Sequence, residues 1–302
     1  MKFSEAIKEF SAWKGFSVKN NTVSGYTGDL RLLALYLRDP EITAISWGDI
    51  QQYQTDCIKL GWDSNTFVRK FIAYRKFFAY WHSKDPKVLD PEWIPVMYAE
   101  MKQPRVIDEA NYKKLLGILS KDSKDPRHHR NRAMIQLLWD TGARNGELLS
   151  LNLDDIDLNK MCAVIRTEKA KFRRQYRQIF WTKETNESIG NWLSLREKLN
   201  SKYWLIKDKD ALFISVTGVK AGTRLKVGGF AEMLRRYCEK AGIDHYNPHS
   251  FRHHMGHDII KKGGSNSDVS NILGHSSLQS SFIYTMLNDK ELEKRYRQFK
   301  GR

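Results

Sequence analysis

The sequence predicts a mainly α-helical chain with a small antiparallel β-sheet, divided into two domains. Three observations carry this reading. In "DSNTFVRKFIAYRKFFAYWHSK" the aromatics Phe67, Phe71, Tyr74, Phe78 and Trp81 recur at helical spacing and mark one face of a helix. Four of the seven prolines fall at 86, 91, 95 and 104, a density that interrupts regular structure. In "MCAVIRTEKAKFRRQYRQIFW" the period changes, and two β-prone runs flank a basic turn, which suggests a hairpin.

The elements follow in order. "NNTVSGYTGDLRLLALYLRD" reads as a helix and "SWGDIQQYQTDCIKL" as another, with Ser46 as its N-cap. The aromatic helix comes next. Its striped face belongs in a core, and Arg69, Lys70, Arg75 and Lys76 form a basic flank on the other face, either resting on phosphates or simply solvated. "DPKVLDPEWIPVMYAEMKQPR" then marks a connection, with the boundary near residues 96 to 106. This gives a helical domain over 1–98, a linker over 99–106 and a second domain over 107–302. Beyond the linker, "DEANYKKLLGIL" and "HHRNRAMIQLLWDTGARNGELLSL" are helical. After the hairpin, helices are expected over 184–199, 227–241, 250–262, 266–273, 278–287 and 289–298. There are no internal repeats.

A chain of 302 residues is long enough for two domains with cores of their own. Its 51 Lys+Arg against 35 Asp+Glu give a net charge of +16, more than solubility requires, which favours a polyanionic partner and nucleic acid first. Cys57, Cys162 and Cys238 are far apart and form no CxxC pair, which excludes a disulfide framework or a cysteine-rich zinc site and fits a reducing compartment. "MKFSEAIKEFSAWKGF" has no apolar run and is no signal peptide, and no stretch has the ~18 apolar residues of a membrane span. A cytoplasmic protein is expected.

Several chemistries fall away. "TGVKAGTR" lacks the lysine and hydroxyl of a phosphate-binding loop. "HHMGH" sets His253 and His257 at the zincin spacing, but His254 occupies the position of the catalytic glutamate, so no metal is expected. Asp154, Asp155 and Asp157 in "LDDIDLN" read as a polar turn between a helix and the first strand rather than a two-metal site.

The positive signals are individually weak. In "TGARNGELLSL", Arg144 and Glu147 are three apart and can pair on one helical turn, as any ion pair would. In "NPHSFRHH", His249 and Arg252 follow Pro248 and project near a helix N-terminus, where free N–H groups suit a phosphate. In "ILGHSSLQSSFIYTML", Gly274 ends one helix and Ser276 or Ser277 can cap the next. Leu278, Phe282, Ile283, Met286 and Leu287 share a broad face, and Tyr284 falls roughly 150° from its middle. Core filling does not account for Tyr284, which leaves an exposed amphipathic tyrosine or a functional one.

Taken together, "TGARNGEL", "HSFRH", "LGHSS" and a tyrosine nine residues after the last histidine resemble the tyrosine recombinase (phage integrase) family, in the same order. "NTVSGYTGDLRLLALYL" and "NTFVRKFIAYRKFFAYW" are similar to signature helices of its core-binding, SAM-like domain, and "QPRVIDEANYKKLL" to the start of its mixed α/β catalytic domain. The resemblance covers nearly the whole chain. It implies Arg144 and Arg252 as the arginine pair on the scissile phosphate, His249 and His275 as the two histidines, Tyr284 as the nucleophile and Glu147 as a support behind the first arginine. The family's hairpin lysine best matches Lys169, with Lys171 the alternative, and the glycines that usually flank it are absent from "RTEKAKFRR". Lys171, Arg173 and Arg174 would contact DNA.

The residue types suit the chemistry the resemblance implies. Two guanidiniums can hold the non-bridging oxygens of a phosphodiester as charge develops, with no metal or other cofactor. A tyrosine with pKa near ~10 must lose its proton as it attacks, with His249 the candidate base. A hairpin lysine can protonate the leaving 5′ oxygen, and His275 can donate a hydrogen bond to the phosphate. The 3′-phosphotyrosine conserves the bond energy, so rejoining needs no ATP. The partner would be double-stranded DNA with a specific recombination site, bound by a homotetramer, with "DKELEKRYRQFK" a candidate docking segment. A length of 302 residues favours the compact Xer-like or mobile-element type, without an arm-binding domain ahead of the core-binding helices. The alternatives are a type IB topoisomerase-like relaxing enzyme, a non-catalytic DNA-binding protein on the same fold, and a metal nuclease.

Overall fold

The aromatic stripe is the spine of the N-terminal unit in a computed structural model of the chain, which describes residues 1–16, 20–100, 105–167, 176–202, 206–274 and 297. Contacts divide the chain into two units, Met1–Gln103 and Pro104–Arg302.

The first unit is four helices, α1 (Phe3–Gly15), α2 (Asn20–Tyr36), α3 (Trp47–Lys59) and α4 (Ser64–His82). Ser46 caps α3 as expected: its hydroxyl accepts from the Asp49 N–H, and the Asp49 carboxylate accepts from the Ser46 N–H at 2.8 Å. Phe67, Phe71, Tyr74, Phe78 and Trp81 are all buried, joined by Phe77. Phe77 meets Phe10 edge-on at 5.4 Å and Phe78 at 5.1 Å. Each such ring contributes about 1.5–3 kcal/mol by leaving water. The proline-bearing stretch after α4 is partly core, since Val88 and Ile94 are buried against the same cluster.

The basic flank of α4 needs one correction. Lys70 lies three residues after Phe67 and four before Tyr74, so it falls on the aromatic face rather than opposite it. It is 1% exposed, its ammonium 3.2 Å from the Asp29 carboxylate of α2 and over the Trp62 and Tyr53 rings at 5.0 and 5.8 Å. Arg69 grips the same carboxylate from the surface, with Nη2 2.8 Å from Oδ1. Arg75 donates to the Pro91 carbonyl at 2.9 Å and to that of Ile94, locking the following turn onto the helix. Lys76 is exposed.

The second unit contains α5 (Glu109–Ile118), α6 (Pro126–Thr141), α7 (Asn145–Ser150), strands β1 (Ile156–Asp157), β2 (Cys162–Arg166) and β3 (Tyr176–Phe180), then α8 (Lys183–Lys202), α9 (Val227–Lys240), α10 (Pro248–Lys261) and α11 (Asn266–Leu273). The sheet has the order β1-β2-β3 and is antiparallel, and β2 and β3 form the expected hairpin, with Cys162 opposite Phe180 and Arg166 opposite Tyr176. Asp154 and Asp155 sit in a 3₁₀ turn and Asp157 ends the short strand β1. Asp155 accepts from the Asn152 N–H and Asp157 from the Lys160 N–H, the work of turn residues.

The stretch 128–151, which reads as helical throughout, breaks between α6 and α7. Gly142 has φ +56°, the left-handed conformation that ends α6, and a Cβ there would lie 2.7 Å from Leu273 Cδ2 and 3.0 Å from Met255 Cβ. α6 is buried along most of its length, with Ala133, Met134, Leu137 and Leu138 in one core with Trp192 of α8, Phe230 of α9 and Phe251 of α10. Its buried Arg130 donates to the Ile214 carbonyl at 2.9 Å, and burial pushes the guanidinium pKa down to about 10. All three cysteines are free and buried. Among the described residues no helix is long and apolar enough to cross a membrane.

Candidate active site

Three guanidiniums converge on the carboxyl end of α11. The first belongs to Arg144, the N-cap of α7. Its backbone N–H donates to Glu147 Oε2 at 2.9 Å and its Nη1 to Glu147 Oε1 at 2.7 Å, so the two residues pair within one turn. Its Nη2 reaches the Gly274 carbonyl at 3.3 Å. The second belongs to Arg252, one turn into α10, whose start is set by Pro248 and an Asn247 cap. Arg252 donates from Nη1 to the Gly142 carbonyl at 2.9 Å and from Nη2 to the Leu273 carbonyl at 2.6 Å. The third, Arg177 of β3, donates from Nη1 to the Ile272 carbonyl at 2.6 Å and from Nη2 to Glu147 Oε2 at 3.2 Å.

The local sequence explains the convergence. Gly274 has φ +67° and ends α11, so the last carbonyls of that helix lack intrahelical partners and carry its negative dipole end. Guanidiniums satisfy both needs. Glu147 is fully buried, with Arg144 14% and Arg177 9% exposed, and Arg252 is 4% exposed. One carboxylate against three cations leaves the cluster positive. Burial pulls the Arg177 pKa down while Glu147 opposes the shift, and an arginine stays charged at neutral pH. Planar cations fixed in this way are suited to a tetrahedral oxyanion.

The histidines divide between surface and interior. His249 is exposed in the first turn of α10. His253 has its pKa pushed down to about 4, chiefly by burial and then by His249, His257 and Arg252, so it is neutral at pH 7. His254 stacks on Trp139 at 3.7 Å, and Trp139 stacks on Tyr112 at 3.9 Å. Burial likewise lowers the His254 pKa, and the ring bonds to the Ile107 backbone. Among the described residues no group of three His, Cys, Asp or Glu is placed to hold a metal ion.

The structure thus brings Arg144, Glu147 and Arg252 together, with His249 one turn before Arg252. Lys169, Lys171, Arg173, Arg174, His275 and Tyr284 lie outside the described residues. Arg177 escaped the sequence reading. Its one signal was a charge two residues before Ile179, on the same face of the strand as that buried side chain, which calls for a counterion.

The profile of the Phage integrase family matches residues 105–291, and that of the Phage integrase N-terminal SAM-like domain matches residues 13–84. The chain is 28% identical to the tyrosine recombinase XerC of Corynebacterium efficiens, over 97% of this chain and 90% of the relative. It is 26% identical to the tyrosine recombinase XerD of Haemophilus ducreyi, over 100% of this chain and 99% of that one. The fold is shared with the XerH site-specific recombinase bound to a palindromic difH substrate (TM-score 0.70, 19% identity, 99% of this chain and 96% of that one). It is also shared with the Tn1549 transposon integrase in complex with transposon right end DNA (TM-score 0.68, 18% identity, 99% of both chains).

Proposed function

The chain belongs to the phage integrase family, the tyrosine recombinases, and from that premise we propose that it cleaves and rejoins duplex DNA at a specific site through Tyr284. The Tyr284 hydroxyl attacks the scissile phosphorus, its proton passing to His249. The bond to the 5′ oxygen breaks as Lys169 supplies a proton, and the DNA is left as a 3′-phosphotyrosine. A 5′-hydroxyl from the partner duplex then reverses these steps, so phosphodiester bonds are conserved and no ATP or metal is consumed.

Arg144 and Arg252 hold the non-bridging oxygens, with a hydrogen bond from His275, and Glu147 fixes Arg144. Preorganised donors of this kind act where charge develops and are each worth about 10²–10³ in rate. The observation that carries the reading is the placement of both arginines on adjacent carbonyls, Leu273 and Gly274, immediately ahead of His275 in the sequence.

The domain over 1–98 and the catalytic domain over 107–302 would both hold duplex DNA. Arg69 and Lys76 would contribute from α4, and Lys171, Arg173 and Arg174 from the hairpin tip. Arg75 would add charge to α4 while holding its turn. The XerC and XerD relatives are named tyrosine recombinases, and we assign this chain the same reaction as a homotetramer acting on two DNA sites in the cytoplasm. The buried free thiols suit that reducing compartment.

The test is a pool of duplexes drawn from the DNA bordering the gene, nicked so that cleavage is trapped. Wild type should form a covalent adduct that survives denaturing electrophoresis, in the presence of EDTA, and Tyr284→Phe should form none. An adduct of equal yield from Tyr284→Phe would remove the nucleophile assignment. Relaxation of a two-site plasmid without strand exchange would move the protein to the topoisomerases.

A further inference from the structure

We propose that Arg177 is a positioning residue for the cleavage step, because from β3 it braces both groups that orient the Arg144 guanidinium: the Glu147 carboxylate and the end of α11 at Gly274. The inference rests on the reading of Arg144 as a phosphate ligand.

Among the described residues the Arg144 guanidinium donates from Nη1 to Glu147 Oε1 at 2.7 Å and from Nη2 to the Gly274 carbonyl at 3.3 Å. Arg177 stands behind each of them. Its Nη2 is 3.2 Å from Glu147 Oε2, the oxygen that also accepts the Arg144 backbone N–H. Its Nη1 donates to the Ile272 carbonyl at 2.6 Å, two residues before Gly274. The Arg177 stem also lies against Gly274 itself, since a Cβ built there falls 2.8 Å from both Arg177 Cδ and Nε.

Arg177 therefore ties the carboxylate at the start of α7 to the end of α11 from the β3 side, behind both groups that orient Arg144. Arg177 is 9% exposed, and each of its Nη groups donates to a protein oxygen. Its influence on DNA runs through Arg144 and not through contact.

Without Arg177, Glu147 Oε2 keeps one donor in a buried site, and the α11 end loses a cation at its negative pole. The fold has other supports at this point, because Arg252 still holds the Gly142 and Leu273 carbonyls. Displacements below the size of an atom then decide the effect: misplacement by about 1 Å can cost ~100-fold in rate.

The experiment uses the full chain and the nicked duplex on which wild type forms its adduct, and follows single-turnover adduct formation. Arg177→Ala should slow the rate about 10- to 100-fold, while DNA affinity stays within about threefold because no phosphate contact is lost. The final adduct yield should match wild type. Arg177→Lys should recover part of the rate, as an ammonium can serve Glu147 or the Ile272 carbonyl but not span both.

A second duplex carries sulfur in place of the scissile 5′ bridging oxygen, so that the leaving group departs without a proton. Arg177→Ala should remain slower than wild type by the same factor on this substrate. Rescue to the wild-type rate would overturn the proposal, because Arg177 would then act through the proton donor of the hairpin. So would an unchanged rate on the ordinary duplex, or a loss confined to yield or DNA affinity. If wild type itself formed no adduct on any duplex of the pool, the recombinase reading would fail first, and the role of Arg177 with it.

Discussion

Each unit of this protein buries one carboxylate between two cations, and the two clusters are put to different uses. In the N-terminal unit Asp29 is held by Lys70 from within and Arg69 from the surface, and Trp62 and Tyr53 cover the lysine. Lys70 there faces the carboxylate and aromatic rings, and Arg69 covers the same carboxylate from the surface. In the catalytic unit Glu147 is held by Arg144 and Arg177, and both arginines reach past it to the carbonyls of α11, where Arg252 joins them. The first cluster is a fastening between helices. The second gathers three guanidiniums around one carboxylate and turns them onto neutral carbonyls, which leaves the larger excess of positive charge for an anion. A buried ion pair alone does not distinguish the two; the third guanidinium and the geometry of the second partners do.

The largest effect should come from opening the closed cluster. Asp29→Ala leaves the Lys70 ammonium buried without its carboxylate and should cost about 3–5 kcal/mol in unfolding experiments on the full chain. Lys70→Met, which keeps Asp29 with Arg69, should cost less than about 2 kcal/mol and leave DNA affinity unaltered. Equal losses from the two variants would mean that Asp29 is not the counterion that matters.

In the open cluster the balance reverses. Arg252→Ala should lower single-turnover cleavage by about 10²–10³ while the protein still binds DNA. Cleavage at the wild-type rate would take Arg252 out of the phosphate site.

A smaller effect should appear with acid. His253 has a folded pKa of about 4 against an ordinary 6.5, and the groups facing it, His249, His257 and Arg252, all oppose its charging. As pH falls, the unfolded chain takes up this proton before the folded one. Stability from His253 is therefore intact above about 6.5, declines through the window and levels off below about 4. Urea midpoints of wild type should fall across that window more than those of His253→Gln. Parallel profiles for the two proteins would sink the assignment.

How far the sequence carried the reading differs between the same two clusters. The aromatic stripe of α4 was legible because its period is local, and the same period should have put Lys70 on the buried face. What the sequence could not supply was the reason a lysine survives there: Asp29, 41 residues earlier, which only tertiary packing brings close. Arg144 and Glu147 were legible because their partnership is completed within one turn. Arg252 was legible from its place after Pro248. Arg177 was not, because its partners lie 30 and 95 residues away, on other elements. The break at Gly142 was hidden for a similar cause. A glycine inside an apolar helical pattern gives no sign that Leu273 and Met255 will close against it.

The contact between Gly274 and Arg177 also bears on how this site can change over generations. Position 274 demands a left-handed backbone, which after glycine asparagine adopts most readily, yet any Cβ there meets the arginine stem. Gly274→Asn is therefore open only to a lineage that has already shortened residue 177. The two positions, one on a strand and one at the end of a helix, should drift together as a pair.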